Sequence, residues 1–338
     1  MVIEVEDSNQ LKYSSSTQAS NNNNNNNSSL IESKNLNLNN CSNICYIPSE
    51  NQSQIQFTIP PSQENEIFKF DFKSQEEFVT YSGEYLNEMY ANLLLDEQNM
   101  KFKPKLGYMQ IQKDINEQMR AILMDWLVEV HYRFRLKSET LYQTVWIIDA
   151  YLSLYPIIRA RLQLLGIAAL LISCKVQEIY YPQLNELIDI TDGAYIKEEL
   201  TQMEAHILKV LNFNIMAPNA NEFYNIIAKA FNFDKSQYYF GKYFMESSLI
   251  DYQMIKFPAS VIAASCAYIV MKFFGIHNYK SLYSNSVIKE SCPQKVIKEA
   301  TREICNLVKN LSQSTLKAVK DKYSLPQFLN VSQYCDQK

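Results

Sequence analysis

Three charged side chains interrupt segments whose apolar spacing is typical of buried helices. Arg120 and Asp149 each lie inside such a segment, and Lys175 lies at the end of the most apolar one. A charge inside a protein is stable only when an opposite charge or several hydrogen bonds compensate it. We therefore predict that Arg120 pairs with Asp149 between neighbouring helices, as a structural clamp that contacts no other molecule.

Lys175 has a different environment, because it lies at a helix end beside Glu178 and Tyr180. A lysine in this position can extend its ammonium group into water while its stem covers apolar surface. The pattern alone leaves two interpretations open: a solvated helix end, or a surface that binds another protein.

The sequence contains no pattern typical of a catalytic, nucleotide or metal site. Its six glycines are spread singly, although average usage of about 7% would give roughly two dozen, and phosphate-binding loops need closely spaced glycines. Cys41 and Cys45 form the only close pair among seven cysteines, whereas a zinc site needs a second pair or suitably spaced histidines. His131 is interpreted as a partly exposed helix residue, and the acidic cluster at 189–199 as a loop and a helix start. We expect no enzymatic activity, no cofactor and no bound metal.

The composition indicates a soluble globular protein with a polar N-terminal extension. Hydrophobic residues make up 47% of the 338, enough for a sizeable core, and the net charge of −4 disfavours a nucleic-acid partner. Residues 1–77, with an asparagine run at 21–27, are predicted to be a disordered tail, and a prion-like assembly segment is the alternative. We expect no signal peptide, no membrane-spanning helix and reduced thiols.

The rest of the chain shows apolar residues at helical spacing. Residues 162–172 are apolar on every side, which is typical of a helix at the centre of a bundle, and Ser138 is predicted to cap the helix that follows it. The predicted helices cover 116–135, 139–152, 162–175, 183–190, 196–211, 219–231, 236–251, 258–274 and 294–312, with a linker at 212–218.

Two short sequence similarities within the chain indicate that a helical unit occurs twice. The triplet IAA occurs at 167–169 and again at 262–264, and residues 201–211 share Thr, Lys and apolar positions with 301–311. Such similarities predict two copies of one unit of roughly a hundred residues.

These residues resemble the cyclin family, and specifically its A- and B-type members. Residues 119–130 read MRAILMDWLVEV, which resembles the cyclin-box signature, and the segments after it favour the mitotic B-type. Further matches are HYRF at 131–134, ETLY at 139–142, IID at 147–149, LQL at 162–164, SCK at 173–175, EIY at 178–180 and KFPAS at 256–260. The resemblance covers roughly 80–330.

The resemblance implies an all-α architecture of two tandem five-helix cyclin folds with an N-terminal helix. The expected domains are the tail at 1–77, an N-terminal cyclin box with its preceding helix at 78–212, a C-terminal cyclin fold at 213–330 and a short tail at 331–338. The implied function is that of a regulatory subunit, not an enzyme, which binds a cyclin-dependent Ser/Thr kinase and positions the kinase αC helix and activation loop. A role in G2/M progression, in nucleus and cytoplasm, is expected.

The resemblance also assigns roles to individual residues. The kinase-binding residues are expected to be Lys175, Glu204, Glu178, Ile179 and Tyr180. The patch that docks R-x-L motifs of substrates or inhibitors is expected to comprise Met119, Ile122, Leu123, Trp126, Glu129 and Gln163. Apolar side chains would receive the Leu of the motif, and Glu129 the Arg, while Arg120 and Asp149 match the family's buried charge pair.

Some positions depart from the family pattern. Val176 and Gln177 replace an aromatic residue and a Glu, which weakens the expected kinase edge and puts partner choice in doubt. No Arg precedes Arg120 and no Lys-Glu-Asn triplet occurs in the tail, so the usual degradation signals are missing there. A transcription factor of the same fold and a scaffold that keeps only the docking patch are the alternatives.

Overall fold

The computed structural model describes residues 85–276 and 292–335, and every regular element in these ranges is a helix. The predicted all-α class is confirmed, whereas the predicted tail at 1–77 and the Cys41–Cys45 pair lie outside the described residues. The α-helices are α1 (Leu86–Asn99), α2 (Glu117–Arg133), α3 (Ser138–Leu154), α4 (Leu162–Gln177), α5 (Leu184–Asp189), α6 (Lys197–Val210), α7 (Ala220–Ala230), α8 (Lys235–Ser248), α9 (Ala259–Phe273), α10 (Gln294–Leu311) and α11 (Ala318–Tyr323). Short 3-10 helices cover Tyr108–Ile111, Arg159–Arg161, Tyr252–Lys256, Pro326–Phe328 and Val331–Cys335.

Helix α4 is the central helix of the first half. Every side chain from Leu162 to Cys174 is buried, and α2, α3 and α6 pack around it. Gly166 permits the close approach of α2, because a Cβ at this position would lie 2.8 Å from Cδ1 of Leu123. By length and composition Arg159–Gln177 would also suit a membrane span, but 72% of this window is buried inside the bundle, as in the core helix of a soluble protein.

Helix α9 has the same position in the second half, where α7, α8 and α10 pack around it. The similar segments at 167–169 and 262–264 lie in the two central helices, and those at 201–211 and 301–311 lie largely in α6 and α10. Helix α4 packs on α6 as α9 packs on α10. The sequence similarity therefore corresponds to a repeated packing arrangement.

Helix α1 precedes the first half in the sequence but packs into the core of the second. Its buried residues Leu86, Tyr90 and Leu94 belong to the hydrophobic core that is formed mainly by the helices of the second half. Near its end, Glu97 accepts hydrogen bonds from Ser260 N at 3.0 Å and Ser260 Oγ at 2.5 Å, which caps the start of α9. Burial raises the pKa of the Glu97 carboxyl, although the Ser260 donors act in the opposite direction.

Helix α11 returns from the second half to pack on α2 of the first. Asp125 on α2 accepts a hydrogen bond from the backbone N–H of Ala318 at 3.0 Å, at the start of α11. Burial raises the pKa of Asp125 to about 6 against the effect of that amide. The two halves are thus joined at both ends by helix caps that one half supplies to the other.

Two local predictions were wrong: the cap from Ser138 and the partial exposure of His131. Ser138 is the first residue of α3 and makes no cap; instead Glu178 accepts hydrogen bonds from Lys137 N at 2.7 Å and Thr140 Oγ1 at 2.5 Å. His131 is buried, and its Nε2 lies 2.8 Å from the carbonyl oxygen of Lys137. Burial and the nearby Lys322 lower the pKa of His131 to about 4, so the ring is neutral and its Nε2–H donates to Lys137.

Candidate protein-binding site

Lys175 in the last turn of α4 forms an ion pair with Glu204 in the middle of α6. The Nζ and Oε1 atoms are 2.5 Å apart, and 41% of the Lys175 side chain is exposed. An exposed pair of this kind stabilises a protein by only about 0–1 kcal/mol. Its main effect is to hold one cation and one anion in a fixed place on the surface.

Exposed apolar side chains follow Lys175 directly in the sequence, at the end of α4 and in the segment after it. Val176, Ile179, Tyr180 and Tyr181 are all exposed, Tyr180 by 92%. Scattered exposed apolar residues are ordinary, but several of them beside an ion pair are typical of a protein interface.

The turn after α6 carries further exposed apolar side chains that the sequence pattern does not indicate. Phe213 is 72% exposed and has φ of 57°, in the left-handed region that bulky residues avoid. Met216, three residues further on, is 61% exposed. A left-handed conformation at an exposed aromatic residue is a signal for function that only the structure reveals.

Two glutamines join this turn to the end of α4. Gln177 Nε2 donates to Gln143 Oε1 at 2.7 Å, and Gln143 Nε2 donates to the carbonyl oxygen of Ile215 at 3.1 Å and contacts Met216 Sδ at 3.5 Å. The family usually has a Glu at position 177, and a glutamate would have no proton to donate to Gln143. The change to Gln at this position therefore permits the hydrogen bond that this chain makes. We call the whole set the Lys175 surface; it comprises Lys175, Val176, Ile179, Tyr180, Glu204, Phe213 and Met216.

Glu178 has a different position from the other expected kinase-binding residues. Its carboxylate is engaged at the start of α3 by the backbone of Lys137 and the hydroxyl of Thr140. Its side chain therefore positions the segment that follows α4, on which Ile179 and Tyr180 are presented.

The residues of the expected docking patch divide into two layers. Ile122, Trp126 and Glu129 share one face of α2, the first two half-buried and Glu129 exposed. Met119, Leu123 and Gln163 are buried beneath them. In the free chain, only the outer layer is available for a direct contact.

Arg120 and Asp149 form a buried bidentate pair between α2 and α3. Arg120 Nε donates to Asp149 Oδ1 at 2.7 Å and Nη2 to Oδ2 at 2.7 Å, while Tyr108 Oη donates to Asp149 Oδ1 at 2.8 Å. Arg120 Nη1 also donates to the carbonyl oxygens of Leu249 and Ile250, each at 3.1 Å. Burial opposes the charge of Arg120, but the attraction of Asp149 keeps the pKa of the guanidinium above its ordinary value.

A second buried charge cluster was not predicted. Glu246 accepts hydrogen bonds from Lys322 Nζ at 2.7 Å and Tyr323 Oη at 2.8 Å, and the buried Lys242 donates to Asn221 Oδ1. Burial disfavours the ionised Glu246, but Lys322 and Lys242 hold the pKa of its carboxyl below the ordinary value. Within the described ranges, no group of three His, Cys, Asp or Glu residues is arranged to hold a metal ion.

The described residues define a class of protein: a repeated helical bundle whose surface carries an ion pair and exposed apolar side chains, as protein-binding surfaces do. Residues 88–216 match the family model "Cyclin, N-terminal domain", and residues 218–337 match "Cyclin, C-terminal domain". The chain is 35% identical to a G2/mitotic-specific cyclin-B of Hydra vulgaris, over 75% of this chain and 68% of the relative. This chain belongs to the cyclin family.

Other relatives and solved structures agree. The chain is 37% identical to G2/mitotic-specific cyclin-B2 of Gallus gallus over 74% of this chain, and 36% identical to the cyclin-B of Spisula solidissima over 74%. It spans 57 to 68% of the length of these relatives. The fold resembles a viral cyclin from herpesvirus saimiri (TM-score 0.57, 19% identity, 65% of this chain and 97% of that one). It also resembles a chain of the yeast RNA Pol II CTD kinase CTDK-1 complex (TM-score 0.51, 15% identity, 67% and 74%).

Proposed function

We propose that this chain is a regulatory subunit that binds and activates a cyclin-dependent Ser/Thr kinase. The observation that carries the proposal is the Lys175 surface, which combines an ion pair at the end of α4 with exposed apolar side chains in the adjoining segments. The relatives from Hydra vulgaris and Gallus gallus are G2/mitotic-specific cyclins, which supports the same function. The chain itself performs no chemistry in this proposal.

Activation is explained as a shift between two states of the kinase. A kinase is active when its β3 Lys pairs with the αC Glu and its activation loop is in place. A rigid surface that binds only this state must supply about 5.5 kcal/mol of differential binding to move the ratio from about 1:99 to 99:1. Helix α4 is buried from Leu162 to Cys174, so the bundle fixes the position of the helix end that carries Lys175.

Substrate recruitment is assigned to the outer layer of the docking patch. Ile122 and Trp126 would receive the Leu of an R-x-L motif, and Glu129 would pair with its Arg. The expected result for Glu129→Lys is a loss of about tenfold, roughly 1.4 kcal/mol, in the rate with an R-x-L substrate. A short peptide substrate without the motif should be phosphorylated at the wild-type rate; equal losses with both substrates would contradict the assignment.

The first experiment is a histone H1 kinase assay with a purified monomeric cyclin-dependent kinase. Wild type should raise the rate at least 100-fold, and Lys175→Glu should abolish most of this increase. Lys298→Glu changes another exposed lysine, on α10, and is the matched control that should activate normally. Stable binding of the wild type without activation would sink the proposal and favour the scaffold alternative.

A charge swap separates a role in binding from a role in the fold. In Lys175→Glu combined with Glu204→Lys, the intramolecular ion pair can form again, but each charge is presented at the wrong place. Activation should stay lost if the two side chains contact the kinase. Recovery to near the wild-type rate would show that only the intramolecular pair matters.

The cellular setting belongs to the same proposal: activity at G2/M, in nucleus and cytoplasm. Imaging of the tagged chain in synchronised cells, together with depletion, tests both. Normal entry into mitosis without the chain would contradict the G2/M role.

A further inference from the structure

A groove of about 740 Å³ opens between α1, α7 and the start of α8. Its apolar lining residues include Leu86, Met89 and Leu93 of α1 together with Phe233 and Tyr239. Charged and amide side chains make up the other half of the lining, among them Asp96, Glu222, Lys229 and Lys235. Met89 is 45% exposed in this groove. The groove shares no residue with the Lys175 surface or with the docking patch.

The chain that leads into this groove is unusually aromatic. Helix α1 begins at Leu86, on the groove wall itself, so the residues before it necessarily start there. Among them the stretch 67–73 reads IFKFDFK, in which three phenylalanines alternate with charged residues. Residues two apart share one side of an extended chain, so this pattern gives an aromatic edge and a charged edge.

We propose that residues 67–73 of the same chain occupy this groove, with Phe68, Phe70 and Phe72 against its apolar lining residues and the charged edge toward its polar ones. The thirteen residues from Phe72 to Tyr85 can span up to about 40 Å, so the stretch can reach any part of the groove. Covalent attachment gives it an effective concentration of about millimolar, so even a weak affinity suffices for occupancy. The stretch precedes residue 88, where the match to the N-terminal cyclin domain begins.

The inference goes beyond the proposed kinase regulation and is tested without a kinase. Hydroxyl-radical footprinting of the full chain measures the oxidation of Met89, with Met216, 61% exposed on the other surface, as an internal reference. The test variant is Phe68→Ser with Phe70→Ser and Phe72→Ser. The matched control changes the charged edge of the same stretch: Lys69→Ser with Asp71→Ser and Lys73→Ser.

Met89 should be oxidised at least threefold faster in the phenylalanine variant than in wild type, and at the wild-type rate in the control. Met216 should be unchanged in both. Equal Met89 rates in wild type and the phenylalanine variant would overturn the proposal, because the groove would then be uncovered or covered by something else. Protection of Met89 that disappears on dilution would also overturn it, since a second copy would then be the occupant.

Discussion

At the scale of single residues, a buried charge in this chain is tolerated because several groups share its compensation. Arg120 has a carboxylate on one side and the carbonyl oxygens of Leu249 and Ile250 on the other. Removal of one partner of a buried pair leaves an uncompensated charge, at a cost of about 3–5 kcal/mol. A substitution at either residue of the Arg120–Asp149 pair should therefore have a measurable effect on stability.

Asp149→Asn should lower the free energy of unfolding by about 3 kcal/mol, because Arg120 keeps its charge and loses its anion. Urea unfolding of the full chain measures this. Arg120→Met combined with Asp149→Leu should recover only part of the loss, since Tyr108 and the two carbonyl oxygens of 249–250 then lack their partner. A loss below about 1 kcal/mol in the single variant would contradict the clamp.

Phe213 allows binding to be separated from stability at one position. Its left-handed backbone costs roughly 1–2 kcal/mol in a residue with a Cβ, and its exposed ring packs little of the core. Phe213→Gly should therefore leave thermal stability equal or slightly higher, yet weaken kinase binding at least tenfold. Leu329→Gly, also left-handed at φ 56° and exposed, is the matched control and should bind normally. If both variants bind the kinase with equal affinity, Phe213 does not belong to the Lys175 surface.

At the scale of helices, the sequence predicts what depends on local spacing and fails where the partner is distant. Arg120 and Asp149 could be paired because each stands out as a charge within an apolar helix. Glu246 and Lys322 could not, because Lys322 lies in a six-residue helix with no apolar periodicity to mark it as buried. The same limit applies to Ser138 and His131, whose surroundings are completed by Glu178 and by the C-terminal segment.

Helix α11 is a case in which one half of the molecule caps a helix of the other. The pKa of Asp125 is raised to about 6, from an ordinary value near 3.8, chiefly by burial. A carboxyl with a raised pKa binds its proton more tightly in the folded state, so its contribution to stability is present below about pH 4 and is lost as the pH rises through 6. Asn at this position can still accept the hydrogen bond from Ala318 but does not ionise.

Asp125→Asn should therefore gain stability relative to wild type between pH 4 and pH 7.5, by about 1 kcal/mol once partial exposure is allowed for. The measurement is the difference in unfolding free energy between the two proteins at each pH, which cancels the titration of other groups. Equal m values are the control for an unchanged unfolding transition. A difference that shrinks as the pH rises would contradict the raised pKa.

At the scale of the whole molecule, the two halves are joined by several contacts within the described residues, including three that involve buried or partly buried charges. Arg120 reaches residues 249–250, Glu97 caps α9, and Asp125 caps α11. Helix α1 in addition packs into the core of the second half. Such contacts couple the two hydrophobic cores, so we expect residues 85–335 to unfold in one step, although each half has its own central helix.

Both tryptophans, Trp126 and Trp146, lie in the first half, so fluorescence reports that half while circular dichroism reports helices in both. Ile304→Ala deletes buried volume from α10 in the second half, at a cost of about 2–5 kcal/mol. If the halves are coupled, this variant should shift the fluorescence midpoint in urea as far as the dichroism midpoint, because the first half cannot stay folded alone. A fluorescence midpoint that stays at the wild-type value, beside a two-step dichroism curve, would show that the halves unfold independently.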